Sequence, residues 1–306
     1  MTEALISLGL VLAGAFVGCV GTLIGAGGGF LLIPALAYFM PNADTDTLTA
    51  ISLFVVAFNA ASGTVGYARQ KKIHYPSGLV FAAAALPGAA MGVFIASVMP
   101  RATFDLALGI MLIIGAALVI LRALGTAPET PPNPTRRMLV LGAIISVFVG
   151  FIASMLGIGG GIVHVPALIY LLHFPAHRAT ATSHFVLALT ALLAVSVHFF
   201  KGDYTGFWWL CTPLALGSIF GAQLGAHLST KLSARAIATT LAIAMITVGA
   251  RTIYRATSNK PAHTTPPAPA STAQPLLPQS PSQTSPQAPT QSPQPITPSP
   301  ASGAAN

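Results

Sequence analysis

The chain has 306 residues, of which 54% are hydrophobic and 7% charged, and its mean hydropathy is +0.75. Soluble proteins carry roughly a quarter charged residues, so this chain cannot cover a water-facing surface, and a soluble enzyme is excluded. Its 14 Lys and Arg against 6 Asp and Glu give +8, yet they stand singly or in small groups between apolar runs, the pattern of topology-setting charges and not of a nucleic-acid-binding patch.

Those charges mark off uncharged runs at 4–43, 47–68, 73–100 and 106–121, which are 40, 22, 28 and 16 residues long. After a polar stretch the series restarts at 138–177, 179–200, 204–230 and 236–250, with lengths 40, 22, 27 and 15. A transmembrane helix needs ~20 apolar residues, so the intermediate runs make one helix each. The two shortest reach that length by snorkelling of Arg122 and Arg251. A straight helix of the longest runs would extend ~60 Å, so each must break. Both contain a glycine cluster ahead of a proline: Gly25, Gly27, Gly28 and Gly29 before Pro34, and Gly157, Gly159, Gly160 and Gly161 before Pro166. Glycine costs ~1 kcal/mol and proline ~3 kcal/mol inside a helix, which puts the interruptions there.

The expected fold is therefore an all-α integral membrane protein of about eight transmembrane helices, built as two repeated four-segment halves, each with a Gly-rich broken first helix. Residues 4–122 form the first repeat, 123–137 a Pro-rich connector and 138–255 the second repeat. Of the 25 prolines, 13 lie between Pro261 and Pro300 among Ser, Thr, Gln and Ala, so 256–306 reads as a disordered tail. The start, Met1-Thr2-Glu3, has no basic region, which makes the first helix a retained segment and not a cleaved signal.

Sliding the chain by 132 positions superposes Phe16, Val17 and Gly18 on Phe148, Val149 and Gly150, then each glycine cluster on the other, then Pro34, Ala35, Leu36 and Tyr38 on Pro166, Ala167, Leu168 and Tyr170. That makes eleven identities in the 23 positions from 16 to 38. At a shift of 131, Phe54 and Val55 meet Phe185 and Val186, and at 133 Gly88, Ala89 and Gly92 meet Gly221, Ala222 and Gly225. The last set reads as small-residue faces for close helix packing. A G-x-G-G-G with a proline five residues later, occurring once per half, resembles the sulfite exporter TauE/SafE family over about residues 4–255. The resemblance implies a multi-pass protein of the bacterial inner membrane, typically of eight helices, that moves sulfite, sulfonates or related sulfur-containing anions.

A break inside a membrane leaves backbone groups that lipid cannot satisfy, so it must be buried in protein or line a wet cavity. Glycine amides and the helix N-terminus that follows carry partial positive charge, and two such elements would hold an anion without any embedded Lys or Arg. The competing reading is that the glycines only allow helices to cross closely. No Lys-Ser/Thr follows them, which excludes a phosphate loop. Polar candidates inside the runs are Asn59, Ser62 and Thr64, and in the other half Thr180, Thr182, Ser183, His184 and Thr190. Intramembrane ionisable residues default to function, which singles out His184 and His164; His164 replaces its repeat mate Leu32 and suits either an anion donor, a carrier of a coupling proton, or a histidine bonded to a nearby carbonyl. His173, His177, His198 and His227 sit near run ends and read as packed. Asp105, four after Arg101, is an interfacial partner, and Trp208 and Trp209 belong to an aromatic belt.

No paired carboxylates, metal-spaced His/Cys group or nucleophile with a base lies within the runs. The expectation is no enzyme, no catalytic residue, no metal and no cofactor; the partners are a small anionic substrate, a coupling ion and the lipid bilayer, without nucleic acid. A secondary transporter is the leading reading, with a passive anion channel or a non-transport assembly protein as rivals. If each 40-residue run crosses an odd number of times, Lys and Arg divide 10 to 4 between the two sides, with both termini cytoplasmic; if each run returns to its starting side, they divide 9 to 5. The positive-inside rule prefers the first, with parallel halves, by one charge.

Overall fold

The computed structural model describes residues 2–124, 134–170, 172–229 and 234–258. The described residues form ten helices: α1 (Thr2–Ile24), α2 (Gly29–Phe39), α3 (Thr45–Arg69), α4 (Tyr75–Val98), α5 (Arg101–Leu124), α6 (Arg136–Leu156), α7 (Gly161–Tyr170), α8 (Ala176–Lys201), α9 (Trp208–Leu228) and α10 (Ala234–Ser258). Seven of them, α1, α3, α4, α5, α6, α8 and α9, are long and apolar enough to cross a membrane. Most of the connector and of the Pro-rich tail expected from the sequence lies outside the described residues.

Polar caps fix where several helices begin. Asp44 accepts from the Thr47 amide at 2.8 Å to start α3, and Thr135 accepts from Met138 to start α6. His74 starts α4 by accepting the Ser77 amide on Nδ1 at 3.3 Å. Burial, and then the nearby Arg178 guanidinium, hold His74 below its ordinary pKa, which keeps that acceptor nitrogen unprotonated.

Small residues set the packing, as the repeat analysis expected. On α9, Gly221 and Gly225 lie against the backbone of Ala15 and Cys19 in α1, and on α4, Gly88 and Gly92 lie against Val147 and Phe151 in α6. The pairs α1/α9 and α6/α4 correspond under exchange of the halves, while α3/α8 and α5/α10 pair an element with its own mate. Phe16 and Phe148, identical in the repeat, are 65% and 63% exposed, as lipid-facing residues should be.

Contact order along each pair gives helix direction. Gly14, Gly18 and Cys19 of α1 meet Leu214, Ser218 and Gly225 of α9, so positions rise together and the helices are parallel. Likewise α3 runs parallel to α9, with Val55 at Ser218 and Gly66 at Ala226. In α3 and α8 the order reverses: Leu53 packs with Ala194, and Gly63 with His184. Gly78 of α4 lies at Thr182 of α8 and Val93 at Ala194, which makes these two parallel, and α6 follows α4. Hence α1 and α3 point one way and α6 and α8 the other.

Two parallel helices joined through α2 require the first long run to end on the side where it began. The same holds for α6, α7 and α8. Of the two crossing numbers that the charge count leaves open, the helix directions give the even one: each long run is a long helix followed by a short one that turns back, and the halves are inverted. The 11 residues of α2 reach ~16 Å, about half of a bilayer core.

Candidate functional site

The helix breaks begin as C-caps. Amides of Gly25, Ala26 and Gly27 all turn back on the Gly21 carbonyl, at 3.0, 2.8 and 3.1 Å. Gly27 and Gly28 have φ of 82°, which glycine enters without steric cost. In the second half the Ile158 amide likewise returns to Ala153, at 3.2 Å. These amides close the preceding helix, so the N–H groups left over are those opening α2, at Gly28 and Gly29, and α7, at Gly160 and Gly161.

The two breaks touch each other. A Cβ on Gly29 would stand 2.6 Å from the Gly157 carbonyl oxygen, and one on Gly161 would run into the Gly25 carbonyl. A Cβ on Gly27 would meet Leu187 and Val56, near the middle of α8 and α3. The clusters thus cross, backbone to backbone, halfway along the helices flanking them.

The carbonyls released by the breaks are met unequally by the two halves. On α3, Ser52 donates to the Gly157 carbonyl at 2.6 Å and Asn59 donates through Nδ2 to Gly27 at 3.0 Å. Asn59 Oδ1 accepts from Thr22 at 3.1 Å, Thr22 Oγ1 lies 3.3 Å from His184 Nε2, and the Tyr67 hydroxyl donates to the Thr22 carbonyl. Thr22 gives its one proton to Asn59, which leaves its oxygen to accept from His184 Nε2, and the imidazole also interacts with the Gly25 backbone. Ser183, the repeat mate of Ser52, is fully buried, and its Oγ has no hydrogen-bond partner among the described residues.

Ser183 faces a cavity of ≈ 10 Å³ that it lines together with Ser146, Gly160, Gly161, His164 and Thr190, about the space one water molecule needs. The start of α7 opens into it, and among the described residues no Lys, Arg, Asp or Glu lines it. Ser146 donates to the Gly142 carbonyl at 2.7 Å, so its 3.1 Å contact with His164 requires Nε2–H of the imidazole to donate. His164 therefore positions Ser146 at the cavity wall. In the first half Leu32 stands in place of His164 and Gly14 in place of Ser146.

Among the other sequence candidates, Thr190 lines the cavity and Thr180 stands against Gly25, while both hydroxyls bond their own helix. Ser62 donates to Ile219 and accepts from Gln223 on α9, and Thr182 accepts from His74. Pro34 and Pro166 sit inside α2 and α7, downstream of the crossing. Thr22, Ser52 and Ser146 were not singled out by sequence; the repeat shift of 131 that lays Ser52 on Ser183 is the signal that would have found one of them. At the end of the bundle holding the start of α3, Asp46, His198 and Asp203 offer ligand atoms within 4.8 Å of one another. Lys201 Nζ stands 2.6 Å from Asp46 and 3.2 Å from Asp203, so an ammonium neutralises the pair. This network joins the start of α3 to the end of α8 and, through Ser97, α4.

The sequence profile described as sulfite exporter TauE/SafE matches residues 10–252. The chain belongs to the sulfite exporter TauE/SafE family. It is similar to the probable membrane transporter protein YunE of Bacillus subtilis, with 29% identity over 269 residues, 80% of this chain and 96% of that protein. A probable membrane transporter protein of Xylella fastidiosa is 26% identical over 214 residues, covering 70% of this chain and 81% of its own length. Another from Methanocaldococcus jannaschii is 29% identical over 188 residues, covering 60% and 68%. No solved structure matches the chain. Together with seven helices able to span a bilayer, these relatives make it a multi-pass membrane transporter.

Proposed function

We propose that this chain is a secondary carrier of a small oxyanion of the sulfite or sulfonate class in a bacterial inner membrane, with the crossed breaks as its binding site. The observation that carries the reading is the Ser183 hydroxyl, unpartnered among the described residues, in a cavity at the start of α7 that has room for one water and has to widen to take the anion. A buried hydroxyl without a partner costs about 1–3 kcal/mol, a cost that a ligand accepting its proton removes. The Gly160 and Gly161 amides and the α7 dipole favour an anion at the same point, and Gly28 and Gly29 present the equivalent start of α2. With no cation in the cavity, the anion leaves without breaking a buried ion pair, which suits turnover.

Orientation follows from charge. Among helix termini in the described residues, Arg69, Lys71, Lys72, Arg122, Arg136, Arg137, Arg178 and Arg235 flank one end of the bundle, and Arg101, Lys201, Arg251 and Arg255 the other. The eight-residue end is assigned to the cytoplasm by the positive-inside rule, which puts the start of α1 and the end of α10 outside, where the charge count of the sequence favours the cytoplasm.

The test is flux in proteoliposomes with labelled sulfite, taurine and sulfoacetate. Gly160→Ala puts a methyl group into the cavity, where only the Val149 side chain stands closer than 3 Å, and should cut flux about tenfold or more, the worth of a charge-assisted contact, in protein that stays monodisperse. Counterflow distinguishes a carrier from a channel. Undiminished flux in a well-folded Gly160→Ala variant would remove the cavity from the pathway.

A further inference from the structure

We propose a second oxyanion site, independent of the glycine crossing, in the pocket between the C-terminal half of α2, the start of α5 and the end of α10. The pocket holds ≈ 280 Å³ and is lined by Arg101, Arg251, Arg255, Tyr38 and Thr252, with Asp105 the one carboxylate. That volume lies near the lower end of small-ligand sites. Asp105 is already taken: it meets Arg101 Nε at 2.9 Å, while Arg101 Nη1 donates to the Ala43 carbonyl at 2.5 Å. This fixes Arg101 as part of the wall.

Arg251 and Arg255 are different. Among the described residues neither pairs with a carboxylate, and both guanidinium groups lie over one ring, that of Tyr38, at 4.8 and 5.6 Å from its centroid. Like charges at i and i+4 on a helix repel, and here the aromatic face gathers them where repulsion is strongest. Stacking on the ring occupies the guanidinium planes and leaves their N–H edges free, which is the geometry that binds a tetrahedral or pyramidal oxyanion by paired hydrogen bonds. Thr252, on the turn between them, adds a hydroxyl at the pocket wall.

The ligand class is a phosphate, sulfite or sulfonate oxyanion, from either of two sources. Exposed Phe39 and Tyr254 nearby on α2 and α10 provide the apolar surface that acyl chains of an anionic lipid cover; a soluble oxyanion would instead be concentrated at the mouth of the carrier. The two sources share the arginine contacts and differ in the need for chains.

The experiment uses the full chain in detergent with two probes, phosphatidylglycerol by native mass spectrometry and inorganic sulfite by calorimetry. Arg251→Gln with Arg255→Gln should weaken binding of at least one probe about tenfold, whereas Arg136→Gln with Arg137→Gln, at the other end of the bundle, should leave it unchanged. Retention of lipid without competition by sulfite identifies a headgroup; sulfite binding by delipidated protein that the glutamine pair loses and Gly160→Ala keeps identifies a soluble ion. Arg251→Lys with Arg255→Lys keeps the charge and should bind better than the glutamine pair, which guards against a variant that merely folds poorly. Equal binding of both probes by wild type and the glutamine pair, or equal loss in the control pair, overturns the site. Neither result bears on Gly160→Ala flux, so the two proposals fail separately.

Discussion

Ser52 and Ser183 occupy equivalent positions in the two halves and have opposite circumstances. Ser52 donates across 105 residues to the Gly157 carbonyl; removing its hydroxyl strands a buried carbonyl and should cost about 1–3 kcal/mol of stability. Ser183 has no partner to lose, so Ser183→Ala should leave thermal unfolding unchanged or slightly raised while weakening sulfite binding about tenfold. Thermal unfolding beside a binding titration on both variants checks the pair; equal destabilisation by both would make Ser183 structural. The sequence marked His164 because an ionisable group in an apolar run must find a polar partner, and it lies on the cavity. Ser52 and Thr22 stayed hidden for a physical reason: a lone hydroxyl in such a run can bond its own helix, and only the distant backbone it meets gives it a role.

At the scale of the element, the glycine clusters mark where each helix stops, and this was legible from propensity alone. Which way the chain leaves was not. Met40-Pro41-Asn42-Ala43 carries no charge, so α2 and the turn after it extend the apolar run as if the chain continued across. Backbone crossing also ranks the glycines. Gly161→Ala drives a Cβ into the Gly25 carbonyl and the Ala26 Cα, a clash between two backbones that neither break can relieve alone, and should destabilise by at least about 2 kcal/mol. Gly9 in α1 has nothing within 4 Å of an added Cβ, so Gly9→Ala should be neutral or stabilise by up to ~1 kcal/mol. Unfolding in detergent measures both. A tolerated Gly161→Ala would mean that the breaks do not touch.

For the whole molecule, inversion explains why the charge count was nearly balanced between two topologies. When each long run returns to its starting side, Arg178 and Arg235 join the end that carries Arg69, Lys71 and Lys72, while Lys201, Arg251 and Arg255 join the opposite end. The basic excess then lies away from both termini. Inverted halves also mean that α2 and α7 leave the crossing toward opposite ends of the bundle, so that the proposed site has a short returning helix on each side, an arrangement suited to alternating access. The Lys201 network with Asp46 and Asp203 closes one end by tying α3 to α8, and no counterpart occurs at the other end among the described residues. Orientation is measured by reporter fusion: a phosphatase active only outside the cytoplasm, joined after Asn306, should be active, and the same enzyme inserted between Pro131 and Pro132, after α5, should be silent. A fluorescent protein that matures only in the cytoplasm should give the reverse pattern. If the C-terminal phosphatase is silent and the insertion active, the eight-residue end faces outward and the assignment by charge fails; if both report the same side, the inverted arrangement of the halves fails with it.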